Sequence, residues 1–143
     1  MVLLDWNEKT MALGIKLIDE QHKELLKIIN LLAKSINENS QRKDILLIVE
    51  KLIDYVEYHF SAEEELFEKF HYEESKEHKD NHVKFTQKFV DIKNKITNDK
   101  SYLNMSSIDI SIDIYIYMTN WFINHISGSD RKYASEFKKY GLE

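Results

Sequence analysis

The chain has 143 residues, of which 43% are hydrophobic and 31% charged, so it has enough apolar sequence for one core and too much for a disordered protein. It has no cysteine, which excludes disulfides, thiolate metal sites, iron–sulfur clusters and cysteine nucleophiles. The absence of proline and the presence of only three glycines favour long helices, and a formal charge of -5 provides no broad basic surface for nucleic acid.

Targeting and membrane signals are also missing from the sequence. The residues after Met1 contain no basic region followed by an apolar run, which argues against a signal peptide. No apolar stretch approaches the roughly 18 residues of a membrane-spanning helix. We therefore expect a soluble, cytoplasmic monomer that forms a single domain over residues 1–143 and binds neither membranes nor nucleic acid.

The first predicted helix covers residues 19–37, with Asp19 as its N-cap because a carboxylate accepts from free backbone N–H groups. Before it we expect an irregular arm, residues 1–17, in which Trp6 and Leu13 pack on the helices. The inward stripe of this helix has steps of four and three and consists of Ile18, His22, Leu25, Ile29, Leu32 and Ile36.

Two more helices are predicted over residues 42–70 and 74–97. The stripe of the second helix consists of Ile45, Val49, Leu52, Val56, His59, Glu63, Leu66 and Phe70. The stripe of the third consists of Ser75, His78, His82, Phe85, Phe89, Ile92 and Ile96. The connections between these helices are short, so neighbouring helices run antiparallel.

The fourth segment, residues 106–127, contains two conflicting patterns. Isoleucines alternate with other residues from Ile108 to Ile116, which is a strand-like period of two. Ser106 and Asp109 have the spacing of a capping box at a helix start, and a lone strand would have no partner. We therefore predict a helix that ends near Gly128, then a short helix over residues 129–140. The predicted fold is all-α, an up-down-up-down four-helix bundle with an irregular N-terminal arm and a short C-terminal helix.

Polar residues occupy inward positions where leucine would be expected. Five of the six histidines and one glutamate lie on the stripes: His22, His59, Glu63, His78, His82 and His125. A single core histidine is usually a satisfied hydrogen-bonding residue, but five with a buried carboxylate are hard to explain in that way. Imidazole is the commonest protein ligand for borderline metal ions, so the pattern predicts a metal site.

The spacing within each helix supports this interpretation. His59 and Glu63, four residues apart, lie about 40° from each other around a helix, and so do His78 and His82. His125 and Asp130 are five residues apart, or about 140° on an ideal helix, and could not share a face. We therefore predict that the helix breaks or bulges between them, with Gly128 the expected place.

The number of ligands indicates how many metal ions are bound. Five imidazoles and two carboxylates exceed the four ligands of a closed zinc site and suit two first-row metals with bridging carboxylates. Nitrogen and oxygen ligands without thiolates favour iron, although manganese, cobalt or zinc could occupy the site in vitro. A ferritin-like site is disfavoured, because it needs Glu-x-x-His pairs from two helices and the only such pair here, Glu68–His71, lies off the stripe.

Four segments in order resemble the hemerythrin family, and specifically the single-domain bacteriohemerythrins. They are Trp6 with Leu13-Gly14-Ile15 and Ile18-Asp19-Glu20-Gln21-His22, then His59-Phe60-Ser61-Ala62-Glu63-Glu64, His78-Lys79-Asp80-Asn81-His82, and Trp121 to His125-Ile126 and Asp130. Each segment is weakly diagnostic alone. Together they cover nearly the whole chain and leave no ligand missing.

The resemblance implies a non-haem di-iron centre that binds dioxygen reversibly. One iron would be bound by His78, His82 and His125, and the other by His22 and His59 alone. Glu63 and Asp130 would bridge the two ions, together with a solvent-derived oxo or hydroxo group. The iron with two histidines would be one ligand short, and dioxygen would bind there. The implied role is oxygen storage, transport or buffering, not catalysis.

Residues near the proposed ligands have assigned but less specific roles. Leu26, Phe60, Trp121 and Ile126 are candidate walls of the dioxygen pocket, although each could simply be core packing. Tyr58, Tyr115 and Tyr117 could hydrogen-bond to ligands, although positions at helix edges are the more ordinary interpretation. We expect His71, Glu64 and Glu65 to be surface residues.

Three other functions are compatible with these residues. A wetter pocket would suit a di-iron oxidase, a peroxidase or an enzyme that handles nitric oxide. An oxygen sensor would need a separate partner protein to carry the signal. A metal-free structural bundle would leave the inward histidines unexplained.

Overall fold

The computed structural model describes residues 1–98 and 106–143, and every regular element in these ranges is helical. The helices are α1 (Glu8–Met11), α2 (Lys16–Asn37), α3 (Arg42–Lys69), α4 (Ser75–Asn98), α5 (Ser107–His125) and α6 (Arg131–Lys138). A π-helical segment, Ile126–Asp130, joins α5 to α6. The predicted all-α class is confirmed.

The four long helices pack as a bundle. Helix α2 packs against α3 and α5, and α3 packs against α4. Helices α4 and α5 meet through large rings, for example Phe85 and Trp121 with ring centroids 3.9 Å apart. None of the helices in the described ranges is long and apolar enough to cross a membrane.

Aliphatic and aromatic side chains fill the end of the bundle that lies far from the inward histidines. They come from all four long helices and are at most 6% exposed: Ile29, Leu32, Ile45, Val49, Leu52, Phe89, Ile92, Ile96, Ile110 and Ile114. Burial of these side chains is the main force holding the helices together, since each contributes about 1.5–3 kcal/mol relative to an exposed position.

The start of α2 differs from the prediction. The helix begins at Lys16 and its N-cap is Ile15, so the assignment of Asp19 as N-cap is wrong. Asp19 lies in the first turn, and its two carboxylate oxygens accept hydrogen bonds from the backbone N–H groups of Leu13 (2.8 Å) and Gly14 (3.0 Å). The carboxylate therefore binds the incoming loop instead of the helix end, because Leu13 and Ile15 are buried and draw that loop inward.

The N-terminal arm is more ordered than predicted. It contains α1, whose first turn is capped by the Asn7 side chain, which accepts from Lys9 and Thr10. Nearer the N-terminus, the backbone N–H of Leu4 donates to the side-chain oxygen of Asn30 in α2 (2.8 Å). The Asn30 amide nitrogen donates in turn to the Leu4 carbonyl (2.8 Å). These polar contacts hold the arm against α2. Leu13 is buried and Trp6 is partly buried against the core, as predicted.

Residues 107–125 form a regular helix in spite of their alternating isoleucines. Ser106 is the N-cap of this helix: its hydroxyl accepts from the Asp109 N–H and donates to the Asp109 carboxylate. Ile110 and Ile114, one helical turn apart, face the core, whereas Ile116 is 49% exposed. The surplus isoleucines therefore lie on the outside of a helix.

The helix bulges between His125 and Asp130, as the five-residue spacing predicted. Residues Ile126–Asp130 are π-helical, and Gly128 lies in their middle. The expectation that Gly128 ends the helix is wrong, since the chain continues without a break into α6. For the same reason the final helix is Arg131–Lys138, shorter than the predicted 129–140.

Candidate metal centre

The structure brings all the predicted ligands together at one end of the bundle. They come from α2, α3, α4, α5 and the π-helical segment, and none is more than 6% exposed: His22, His59, Glu63, His78, His82, His125 and Asp130. Histidine and carboxylate side chains this deeply buried require partners or a metal ion.

The ligand atoms form two groups that share Glu63. One group is Glu63, His78, His82 and His125, which we call the three-histidine half, and the other is Glu63, Asp130, His22 and His59, which we call the two-histidine half. Within each group, one ligand atom from every residue lies within 4.8 Å of those of the others. This spacing is compatible with a metal ion at the centre of each group.

Asp130 lies between the two halves. Its Oδ1 is 2.9 Å from His125 Nε2 and 3.0 Å from His78 Nε2, while its Oδ2 is 3.1 Å from His22 Nε2. The π-helical segment makes this position possible, because its wider turn returns Asp130 to the face of His125.

Glu63 has the same arrangement on the opposite side. Its Oε1 is 2.8 Å from His59 Nε2, and its Oε2 is 3.6 Å from His78 Nε2. Glu63 Oε1 also lies 3.7 Å from His82 Nε2, so each of the two carboxylates lies next to histidines of both halves.

Most of these atoms lack hydrogen-bond geometry although they are close together. Among the described residues, neither carboxylate oxygen of Glu63 has a hydrogen-bond partner, and neither oxygen of Asp130 has one. The same is true of Nε2 of His78, His82 and His125. An unpartnered buried polar group costs about 1–3 kcal/mol, so this many converging lone pairs are unfavourable without a cation. The residues fit a metal ion in each half.

Burial and charge shift the pKa values in this cluster in opposite directions. Burial, with the neighbouring imidazoles of His78 and His125, lowers the pKa of His82 to about 2. Burial alone would also lower the pKa of His125, but the Asp130 carboxylate outweighs it and raises that pKa. His82 is thus neutral at physiological pH, as a metal ligand must be.

Two candidate ligands have hydrogen-bond partners at the ring nitrogen that faces away from the centre. The sequence analysis did not assign these partners to the site. His59 Nδ1 lies 2.7 Å from the side-chain oxygen of Gln21, and His82 Nδ1 lies 3.3 Å from a carboxylate oxygen of Glu64. Glu64 is partly exposed, as a surface position predicts, with 34% of its side chain accessible, but it also contacts a candidate ligand, which the sequence analysis did not predict. Glu65 and His71 are exposed, as expected.

The predicted pocket residues lie around both halves of the centre. Phe60 stacks on His82 with ring centroids 3.7 Å apart, and Trp121 stacks on His125 at 4.3 Å. Leu26 is 4% exposed, and Ile126 lines an apolar cavity of about 250 Å³ together with Phe122. Phe60 and Trp121 thus lie beside the three-histidine half, and the role of all four residues as walls of a dioxygen pocket stays a prediction.

The contacts of Tyr58, Tyr115 and Tyr117 favour the more ordinary interpretation, in which they do not hydrogen-bond to the ligands, and the Tyr117 ring packs near Phe85 and Phe89. Tyr58 is 61% exposed, and the Tyr115 hydroxyl donates to the Val2 carbonyl. Tyr133 is instead fully buried with its ring centroid 5.5 Å from that of His78. Burial and the carboxylates of Glu63 and Asp130 raise the pKa of Tyr133. Its position three residues after Asp130 on a continuing helix is the signal that could have revealed it.

Comparison with known proteins gives a consistent result. Residues 13–137 match the family model described as the hemerythrin HHE cation binding domain. A bacteriohemerythrin of Stenotrophomonas maltophilia (strain R551-3) is 29% identical over 140 residues, 98% of this chain and 85% of that protein. A hemerythrin-like protein of Naegleria gruberi is 32% identical over 126 residues, 88% of this chain and 87% of its own. A crystal structure of wild-type hemerythrin has a TM-score of 0.78 at 25% identity and covers 94% of this chain and 97% of that one.

Proposed function

This chain is a member of the hemerythrin family, and on that premise we propose that it binds dioxygen reversibly at two non-haem iron ions. The proposed role is storage, delivery or buffering of oxygen, and the protein is not an enzyme. In this proposal His78, His82 and His125 hold one iron, and His22 and His59 hold the other. Glu63 and Asp130 would bridge the two ions, together with a solvent-derived oxo or hydroxo group.

The unequal number of histidines around two shared carboxylates is the observation that supports this proposal most directly. The carboxylate oxygens next to His22, His59 and His78 are buried and lack hydrogen-bond partners among the described residues. With one imidazole fewer, the two-histidine half leaves a coordination position unfilled by protein. When bound, ferrous iron supplies the electrons and the open position that dioxygen binding requires.

The protein's own residues make binding reversible by keeping this position dry. The Phe122 ring is fully buried and lies edge-on to His22, with ring centroids 6.2 Å apart. On their outer side, Phe122 and Ile126 line an apolar surface pocket of about 250 Å³ between α1 and α5. Uncharged gas can cross such a lining more easily than protons or ionic reductants, and excluding those species prevents bound dioxygen from being consumed.

A spectroscopic cycle on the full chain tests the proposal. The iron-loaded protein is reduced without air, exposed to air, and then depleted of dioxygen, with an optical spectrum recorded at each stage. We expect two irons per chain, a new visible band in air, and return of the first spectrum when dioxygen is withdrawn.

Two results would contradict the proposal. A chain that retains no iron after purification in iron-containing medium would favour a structural bundle. A chain that consumes dioxygen, peroxide or nitric oxide steadily with a reductant, and never returns to its starting spectrum, would favour a di-iron enzyme.

A further inference from the structure

The outer nitrogens of two candidate ligands have chemically different partners. His59, in the two-histidine half, has its Nδ1 2.7 Å from the neutral amide oxygen of Gln21. His82, in the three-histidine half, has its Nδ1 3.3 Å from the carboxylate of Glu64. Both partners accept hydrogen bonds, so each imidazole carries its proton on Nδ1 and turns the Nε2 lone pair toward the centre.

Gln21 is fixed in place by two helices. Its side chain is 5% exposed, and its backbone carbonyl accepts a hydrogen bond of 2.7 Å from the Tyr55 hydroxyl of α3. The amide therefore joins α2 to α3 behind His59, and no charge accompanies it.

Glu64 lies at the boundary between the centre and solvent. It lines an open groove between α3 and α4, together with Phe60, Ser61, His82 and Val83. The Glu64 side chain thus faces this open groove, and one of its carboxylate oxygens accepts from His82 Nδ1.

The remaining ligand of the two-histidine half increases this contrast. His22 Nδ1 is buried and has no hydrogen-bond partner among residues 1–98 and 106–143. At their outer nitrogens, the two-histidine half thus has one imidazole with an amide partner and one with no partner among the described residues, whereas the three-histidine half includes an imidazole with a carboxylate partner. A carboxylate partner raises the basicity of a metal-bound imidazole more than an amide does.

We propose that Glu64 and Gln21 are positioning residues that make the two halves unequal in donor strength, so that the three-histidine half holds its metal ion more tightly. Glu64 strengthens His82 as a donor through its charge, and Gln21 orients His59 without strengthening it. The two-histidine half thereby keeps a weakly held, electron-poorer ion at the position where an external ligand binds. This inference rests on the proposed function only in assuming that metal ions occupy both halves.

Release of iron to a chelator tests the inference on the full, loaded chain. Reduced protein is mixed with an excess of a ferrous chelator without air, and the release is followed optically. For the native chain we expect two phases of equal amplitude, a fast one from the two-histidine half and a slow one from the three-histidine half. Glu64→Gln keeps a hydrogen-bond acceptor but removes the charge, and we expect it to accelerate the slow phase about tenfold with little effect on the fast one.

Three further variants separate charge from simple support of the rings. Gln21→Glu should slow the fast phase and bring the two phases closer together, because it gives His59 an anionic partner. Glu64→Ala removes the acceptor as well as the charge and should accelerate the slow phase at least as much as Glu64→Gln. Glu65→Gln makes the same chemical change at an exposed neighbouring residue and should leave the rates of both phases unchanged.

Specific outcomes would overturn the inference. If Glu64→Gln releases iron like the native chain while Glu64→Ala accelerates release, Glu64 only supports the ring and its charge has no role. A single release phase in the native chain would show that the halves are equal. Two unequal phases in a chain that fails the dioxygen cycle would contradict the proposed function and leave this inference standing.

Discussion

The two ends of the bundle are built from the same helices but from opposite kinds of side chain. At one end Ile29, Ile45 and Phe89 are buried at 0% exposure and need no partner beyond each other. At the other end His59, Glu63 and their neighbours are buried just as deeply. Apolar burial stabilises the first end in the absence of any ligand, whereas the second becomes favourable only when cations occupy it.

The difference shows how stability and function are divided within one small chain. The end with the apolar side chains, which we call the aliphatic end, fixes how the helices pack. That packing brings the candidate ligands of α2, α3, α4 and α5 to common points. The end with the candidate metal ligands adds little stability of its own. Several carboxylate oxygens and imidazole nitrogens of those ligands are buried without hydrogen-bond partners among the described residues. Four predictions test this division.

The largest effect is expected from removing a ligand. His59→Ala and His125→Ala should each abolish the two-iron centre, because the remaining ligands no longer surround both ions, while the helices still form. Iron per chain after gel filtration is the measurement, and His71→Ala, an exposed histidine, is the control. Equal iron content in all three variants would contradict the ligand assignment.

Shortening a buried side chain at the aliphatic end should have the opposite effect: the protein loses stability but keeps its iron. Phe89 is fully buried between its neighbours, and its ring centroid is 4.8 Å from that of Phe85. Phe89→Ala should lower the free energy of unfolding by about 3–5 kcal/mol through the cavity it leaves, while folded protein keeps its full complement of iron. Denaturant unfolding and iron analysis on the same sample are the measurements. Iron loss as severe as in His125→Ala would contradict the prediction.

Removing the iron should loosen one end selectively. If iron is present at 100 times its dissociation constant, its removal costs about 3 kcal/mol. Amide hydrogen exchange with and without iron should show lost protection in the π-helical segment Ile126–Asp130 and around His78, with little change at Ile45–Leu52. Uniform loss of protection along α3 would mean that the two ends are not separable.

The smallest effect is expected at Tyr133. Its hydroxyl is buried and has no hydrogen-bond partner in the described part of the chain, so Tyr133→Phe removes an unsatisfied group and preserves the ring. The free energy of unfolding of the metal-free protein should stay the same or rise by about 1 kcal/mol. A loss of several kcal/mol would show that the hydroxyl donates to Glu63 or another acceptor.

Local patterns in the sequence were sufficient to predict much of the fold and the candidate ligands. Helical spacing placed His59 with Glu63 and His78 with His82, and the five-residue step from His125 to Asp130 predicted a bulge that the structure shows as a π-helix. The helix start that the spacing of Ser106 and Asp109 indicated outweighed an isoleucine pattern typical of strands. In each case the deciding interaction lies within one or two turns of the same helix.

Contacts between segments were predicted less well. Asp19 has the residue type of an N-cap, yet it binds the loop before the helix because Leu13 and Ile15 are drawn into the core. Glu64 lies about 100° from Glu63 around α3, which suggested a solvated position. Its contact with His82 depends on how closely α4 approaches, and no spacing within α3 reports that distance.

The order of apolar and polar residues along the chain therefore determined which segments are helical and which side chains turn inward, since both follow from the periodicity of a single helix. The tertiary structure alone decided the outer partners of three imidazoles: the amide of Gln21 for His59, the carboxylate of Glu64 for His82 and, among the described residues, none for His22 Nδ1. These contacts depend on the offset and rotation between helices, which arise from packing the whole core and are not encoded in any one segment.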